Sequence, residues 1–141
     1  GCLEVFAAGP AIAAQAAAVC PAGAPAPDTQ QVYALAATGD PLAGPIVARA
    51  AAYLARAVYL LMLSYDVECV VLGGGVSRSG EAFARPLRRA LAALRADSPL
   101  AMSMLPDEKV VVLPGDVNAG AVGAVYLADH NLNHTGTASR R

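Results

Sequence analysis

The sequence predicts an α/β fold, rich in helix and poor in strand. Three observations predict it. Two short apolar runs, residues 69–72 and 109–113, are rich in valine and read as buried strands. Long alanine-rich stretches with helical periodicity precede and separate them. The first run empties into Gly73-Gly74-Gly75, after which a helical pattern resumes near Glu81. Two strands make an incomplete sheet, so a partner segment or another chain is expected to complete it.

Residues 3–19 are dominated by helix-compatible alanines, with Gly9 and Pro10 ending or kinking the first turns before the helix continues through Gln15. Residues 21–28 carry three prolines among small residues and read as a surface loop. A short helix is expected over residues 30–37, with Thr29 as its cap. In Thr38-Gly39-Asp40-Pro41 the glycine closes that helix, the aspartate caps the next, and the proline takes the first helical position. The next helix, residues 41–65, is long and apolar. Arg49, Arg56 and Pro45 deny it the roughly 18 unbroken apolar residues of a membrane span, so it reads as a buried core helix. Residues 81–96 are amphipathic, with Phe83, Leu87, Leu91 and Leu94 on one side. Arg85, Arg88, Arg89 and Arg95 fall mostly toward another, a solvated face. Residues 98–108 form an irregular connection with one helical turn. Pro114-Gly115-Asp116 leads from the second strand into a helix over residues 118–129, and residues 130–141 are a polar tail.

Composition narrows the function classes. A chain of 141 residues suits one domain, which at this size buries about 70% of its unfolded surface. Hydrophobic side chains make up 56% and charged ones 15%, so a sizeable core is available and disorder is not expected. Ten basic against eleven acidic residues give a net charge of −1, which argues against nucleic-acid binding by this segment. Cys2, Cys20 and Cys69 are odd in number and widely spaced, imply no disulfide framework, and fit a reducing compartment. With no signal-peptide pattern at the start, a cytoplasmic protein away from membranes is expected.

Three pieces carry chemistry. The triple glycine lets backbone approach a ligand where any Cβ would collide, and the helix after it offers free N–H groups suited to phosphate. The same cluster also reads as a plain tight turn. Ala119, Gly120, Ala121, Gly123 and Ala124 set small residues at three- and four-residue spacing, which favours close packing of another element over ligand contact. Gly1-Cys2-Leu3-Glu4 holds a cysteine and a glutamate that, taken singly, read as a small hydrophobe and a helix-dipole partner. His130 and His134 sit four apart, but Asn131 and Asn133 weaken a helix there and metal binding by the pair is not expected.

As an ordered set, Gly1-Cys2-Leu3-Glu4, Gly73-Gly74-Gly75-Val76-Ser77 and Asn118-Ala119-Gly120-Ala121-Val122-Gly123-Ala124 resemble the carboxy-terminal half of the ROK family of repressors, open reading frames and sugar kinases. Thr38-Gly39-Asp40-Pro41 fits the family too. The resemblance runs from Gly1 to about Ala128. It implies that residues 1–129 form the carboxy-terminal lobe of an actin-like ATPase, hexokinase-type (ribonuclease H-like) fold, with nucleotide and sugar in a cleft between two lobes. It implies ATP and Mg2+ as cofactors, and Gly73, Gly74, Gly75 and Val76 as the adenosine-binding element. The helix bearing Gly120 becomes the connection at the interlobe hinge. Glu4 becomes the glutamate that hydrogen-bonds sugar hydroxyls, and Cys2 the last cysteine of a structural Zn2+ site with pattern Cys-x-Cys-Gly-x-x-Gly-Cys. Family members are commonly dimers, so a homo-oligomer is expected.

The departures from the pattern matter as much. Three of the four zinc ligands, the phosphate-binding Asp-x-Gly-x-Thr turn and the general-base aspartate are missing, and Ala8-Gly9 stands where the family often has Ser-Gly. The chain thus reads as part of a longer one that supplies an amino-terminal lobe, and alone it is not expected to phosphorylate anything. Two readings of the parent stand. One is an ATP-dependent, glucokinase-like sugar kinase, favoured by the intact triple glycine running on to Ser77-Arg78-Ser79-Gly80. The other is the effector-sensing half of a sugar-responsive transcriptional repressor with a winged helix upstream. A third, a helical α/β domain whose glycines merely turn, remains beside them.

Overall fold

The computed structural model describes residues 2–135, with side chains to His130; Gly1 and residues 136–141 of the polar tail lie outside the described residues. The amino-terminal stretch divides near Gly9-Pro10, as expected, into helices α1 (Glu4–Ala7) and α2 (Gly9–Val19). The break falls at Ala8, which is extended, and Pro10 sits in the first turn of α2, where its missing N–H costs nothing.

Helix α3 (Thr29–Ala37) is capped one residue earlier than its sequence suggested. Asp28 accepts from the Gln31 amide at 2.8 Å while the Gln31 side chain accepts from the Asp28 amide at 2.8 Å, a reciprocal capping box. Thr29, free of that duty, donates its hydroxyl to the Gly9 carbonyl at 2.7 Å and ties α3 to the start of α2. Gly39 leaves α3 with φ +89°. Asp40 does cap the next helix, accepting from Leu42 and Ala43 at 2.9 and 2.8 Å. Because its carboxylate first closes a turn onto Leu42, Pro41 lies in that turn and α4 (Ala43–Tyr65) begins two residues later than expected.

Helix α4 is the spine of the core. Ile46, Val47, Ala50, Ala55, Val58 and Met62 are buried along it, against Ile12 of α2, Val32 and Tyr33 of α3, and Phe83, Leu87 and Leu91 of α5 (Glu81–Asp97). It has the length and apolarity of a membrane span, yet this buried face makes it a core helix. α5 carries Pro86 in its interior, a residue worth about 3 kcal/mol against a helix, and persists because three large side chains on its inner face are buried. Arg95 leaves the solvated arginine face and donates to the Leu105 carbonyl (2.7 Å) and to Asp107 (2.6 Å), pinning the connection after α6 (Pro99–Met104).

Strands β1 (Val70–Leu72) and β2 (Val110–Val112) pair in parallel, with Val70 opposite Val110. The crossover through α5 and α6 makes this a β-α-β unit. Val70, Leu72, Val110 and Val112 pack onto the helical core, whereas Val71 and Val111 are 55% and 41% exposed on the other face. A parallel sheet is normally covered on both faces. Here one face is bare.

Helix α7 (Ala119–Thr135) runs past the expected end at residue 129. Its apolar Val122, Val125, Tyr126 and Leu127 are all exposed, and a Cβ on Gly123 would meet nothing within 4 Å. Among the described residues the close packing expected of its small residues is therefore not made.

Candidate functional site

The three glycines after β1 serve three different purposes. A Cβ on Gly73 would lie 3.1 Å from Leu113 Cδ1, so the first glycine permits close approach of the two strand ends. Gly74 has φ +104°, a conformation L side chains rarely adopt, and supplies the turn. A Cβ on Gly75 would project into open space. The buried hydroxyl of Ser77 donates to the Gly74 carbonyl at 2.8 Å and holds the turn shut.

Beyond the glycines the chain enters a 3-10 turn, Val76–Ser79, and α5 starts at Glu81, as expected. The helix terminus that shares a cleft with the glycines belongs to α7 instead. A depression of about 460 Å³ is walled on one side by Gly73, Gly74, Gly75 and Arg78, and on the other by Asn118, Ala119 and Gly120, with Val71, Leu113 and Val117 completing it. Asn118 caps α7, its Oδ1 accepting from the Ala121 amide at 3.1 Å. The remaining first-turn amides of a helix have no partner within it and carry its positive partial charge. The cleft opens beside the bare face of β1, on the side of exposed Val71.

Of the four residues expected to hold nucleotide, Gly73, Gly74 and Gly75 line this cleft. Val76 turns the other way, packing against the core and 3.6 Å from where a Cβ on Gly9 would sit. That contact brings two distant parts of the sequence together: the start of α2 abuts Val76, the residue that follows the glycine turn. Glu4 itself is exposed on α1. Phe6, two residues on, stacks on Tyr53 of α4 with ring centroids 4.3 Å apart. Cys2 is a free, exposed thiol, and among the described residues no three histidine, cysteine or acidic side chains cluster as a metal site. His130 lies 6.3 Å, centroid to centroid, from Tyr126, and the side chain of His134 lies outside the described residues.

Sequence reasoning gave no role to Leu113, Val117 or Arg78. Arg78 belongs to the run after the glycines, where its charge is the one signal that could have singled it out. Leu113 and Val117 carry no chemical signal and reach the cleft only because β2 lies alongside β1.

The ROK family model matches residues 1–131. The chain belongs to the ROK family. Two relatives, each a bifunctional enzyme NanE/NanK, from Brucella melitensis and Brucella suis, are 37% identical over 126 residues, covering 89% of this chain and 22% of theirs. The crystal structure of the ROK hexokinase from Thermus thermophilus matches with a TM-score of 0.58 at 30% identity, over 93% of this chain and 42% of that one. The architecture is thus that of an actin-like, hexokinase-type ROK protein, as its motifs implied. This ROK chain spans less than a quarter of the bifunctional relatives and less than half of the hexokinase.

Proposed function

We propose that this chain is the carboxy-terminal portion of an ATP-dependent, glucokinase-like sugar kinase of the ROK family. It holds nucleotide at the glycine cleft and contributes Glu4 to the sugar. The cleft carries the reading. One wall has no side chains on its three glycines, so a ligand can lie against backbone; the other is the capped N-terminus of a long helix, whose amides and dipole favour phosphate oxygens. Arg78 adds a cation at the rim.

ATP with Mg2+ supplies the phosphoryl group to be transferred. The residues of this chain bind and orient. Gly73, Gly74 and Gly75 seat the adenosine end, with Val76 anchoring their turn to the core. The Glu4 carboxylate accepts hydrogen bonds from sugar hydroxyls and fixes the acceptor. Phosphoryl transfer rests on positioning and charge stabilisation around the phosphates. The general base and the phosphate turn belong, on this reading, to polypeptide outside the sequence, so this portion alone binds without turning over.

The same holds for zinc. One exposed thiol does not hold a metal ion, and Cys2 would act as one of four structural ligands, the other three coming from outside. The bare face of β1 and the exposed apolar side chains of α7 are the surface an amino-terminal lobe covers, and a second copy of the protein completes a dimer. The cytoplasm, where ATP and reduced thiols coexist, is the fitting compartment.

The test is hexose-dependent ADP release by the full-length protein, assayed with glucose, mannose and N-acetylated hexosamines. Saturable turnover with at least one of them supports the reading. Sugar-sensitive binding to duplex DNA with no turnover would replace it with the repressor.

A further inference from the structure

Glu4 sits on a helix that cannot stand alone. α1 is four residues long, far below the roughly 12–15 at which an isolated helix becomes even marginal in water. Its cap residue, Leu3, offers no side-chain hydrogen bond, and none of its residues is fully buried. Its anchorage is lateral. The Phe6 ring stacks on the Tyr53 ring at 4.3 Å and an interplanar angle of 20°, and Ala7 packs against the core. Glu4 and Phe6 are two residues apart, about 200° around a helix axis, so a ring fixed inward on α4 leaves the carboxylate facing outward. The platform is firm. Tyr53 lies between Ala50, Ala51 and Ala55, all buried in the middle of a 23-residue helix.

We propose that Tyr53 is a positioning residue for sugar recognition: by stacking on Phe6 it sets the rotation of α1 and thereby the aim of the Glu4 carboxylate. The inference rests on the reading of Glu4 as a sugar ligand. Its physical content is that ligand groups must be held within fractions of an ångström, and a helix this short has no internal means of doing so.

The experiment uses the full-length protein and whichever hexose serves it best. Glu4→Gln comes first and is expected to raise the sugar KM. An unchanged sugar KM there would remove the Glu4 reading, and this inference with it, before Tyr53 is touched. Tyr53→Leu keeps bulk but loses the stack. It is expected to raise the sugar KM about threefold to tenfold, the range that loss of a stacked aromatic pair corresponds to, while kcat and the ATP KM stay within about twofold. Tyr53→Phe, which keeps the ring, is expected to behave as wild type. In the Glu4→Gln background Tyr53→Leu is expected to add nothing, because its effect passes through the carboxylate. If Tyr53→Leu does not fold, Phe6→Leu removes the same stack from the α1 side and is read identically. A Glu4-sensitive protein in which loss of the stack leaves the sugar KM unchanged, harms sugar and nucleotide equally, or adds in full to Glu4→Gln overturns the inference and leaves the Glu4 reading standing.

Discussion

Gly115 passes so close to Arg78 that a Cβ on it would lie 2.9 Å from Arg78 Cα. Arg78 lies on the glycine wall of the cleft, and Gly115 lies in the segment that leads to the opposite wall. Arg78 is in the 3-10 turn after the glycines, and Gly115 is in the loop that carries β2 into α7. The φ of Gly115 is not positive, so room rather than conformational freedom requires glycine here. This backbone-to-backbone contact sets how far apart the two walls stand.

Gly115→Ala should therefore push the α7 entry away from Arg78. Overpacking of this kind costs about 1–3 kcal/mol, and its functional consequence is a wider cleft. Calorimetric titration of the full-length protein with Mg-ATP is expected to show severalfold weaker nucleotide binding, with sugar affinity unchanged. Unaltered nucleotide affinity in a folded variant would show that the wall spacing does not matter.

Gly74→Val combines an unfavourable backbone conformation at φ +104° with a branched side chain in the turn. Nucleotide binding is expected to fall at least tenfold while sugar binding stays largely intact, since Glu4 is carried on a separate helix. The paired titrations read both. Equal loss of both ligands would indicate general misfolding instead.

Asp28→Ala should remove the side-chain half of the capping box on α3, leaving the Gln31 side chain to accept from the amide of residue 28. The expected cost is about 1 kcal/mol, measured as a shift in the chemical-denaturation midpoint without change in slope. Thr29→Val is a useful contrast. It leaves the cap intact but cuts the 2.7 Å bond to Gly9, so its effect should fall on the α1–α2 segment rather than on α3.

Tyr33 gives the fold an alkaline limit. Burial raises its phenol from 10.0 to about 12, because the charged phenolate is poorly solvated beside Phe83. Above pH 10 the unfolded chain releases this proton while the folded one retains it, so the unfolded state binds fewer protons and stability falls with rising pH. The loss accumulates between pH 10 and about 12 and reaches about 3 kcal/mol. Tyr33→Phe is expected to remove that component of alkaline unfolding while changing stability little at pH 7.

Local chemistry was legible because it is local. The strand at Val70, the three glycines, the helix break near Pro10 and the Asp40 cap all follow from backbone rules that act within a few residues. The ROK motifs were legible for a related reason, since their order along the chain marks the family without any need for distances. The errors were those of choosing between near-equal neighbours. Asp28 won the cap from Thr29 because Gln31 could reciprocate, and Pro41 lost the first helical position because the Asp40 carboxylate closed a turn first.

By itself the sequence determined the element types and the family. Only the tertiary structure decided which helix terminus faces the glycines. That terminus is α7's, 44 residues beyond Gly75 at Ala119, brought there because β2 pairs in parallel beside β1 and delivers its loop against Arg78. Tertiary packing likewise decided that Val76 turns to the core and that Phe6 finds Tyr53. The reason is the same in each case. Contacts between residues far apart in the chain depend on which surfaces can be buried together, and no short-range pattern records that outcome.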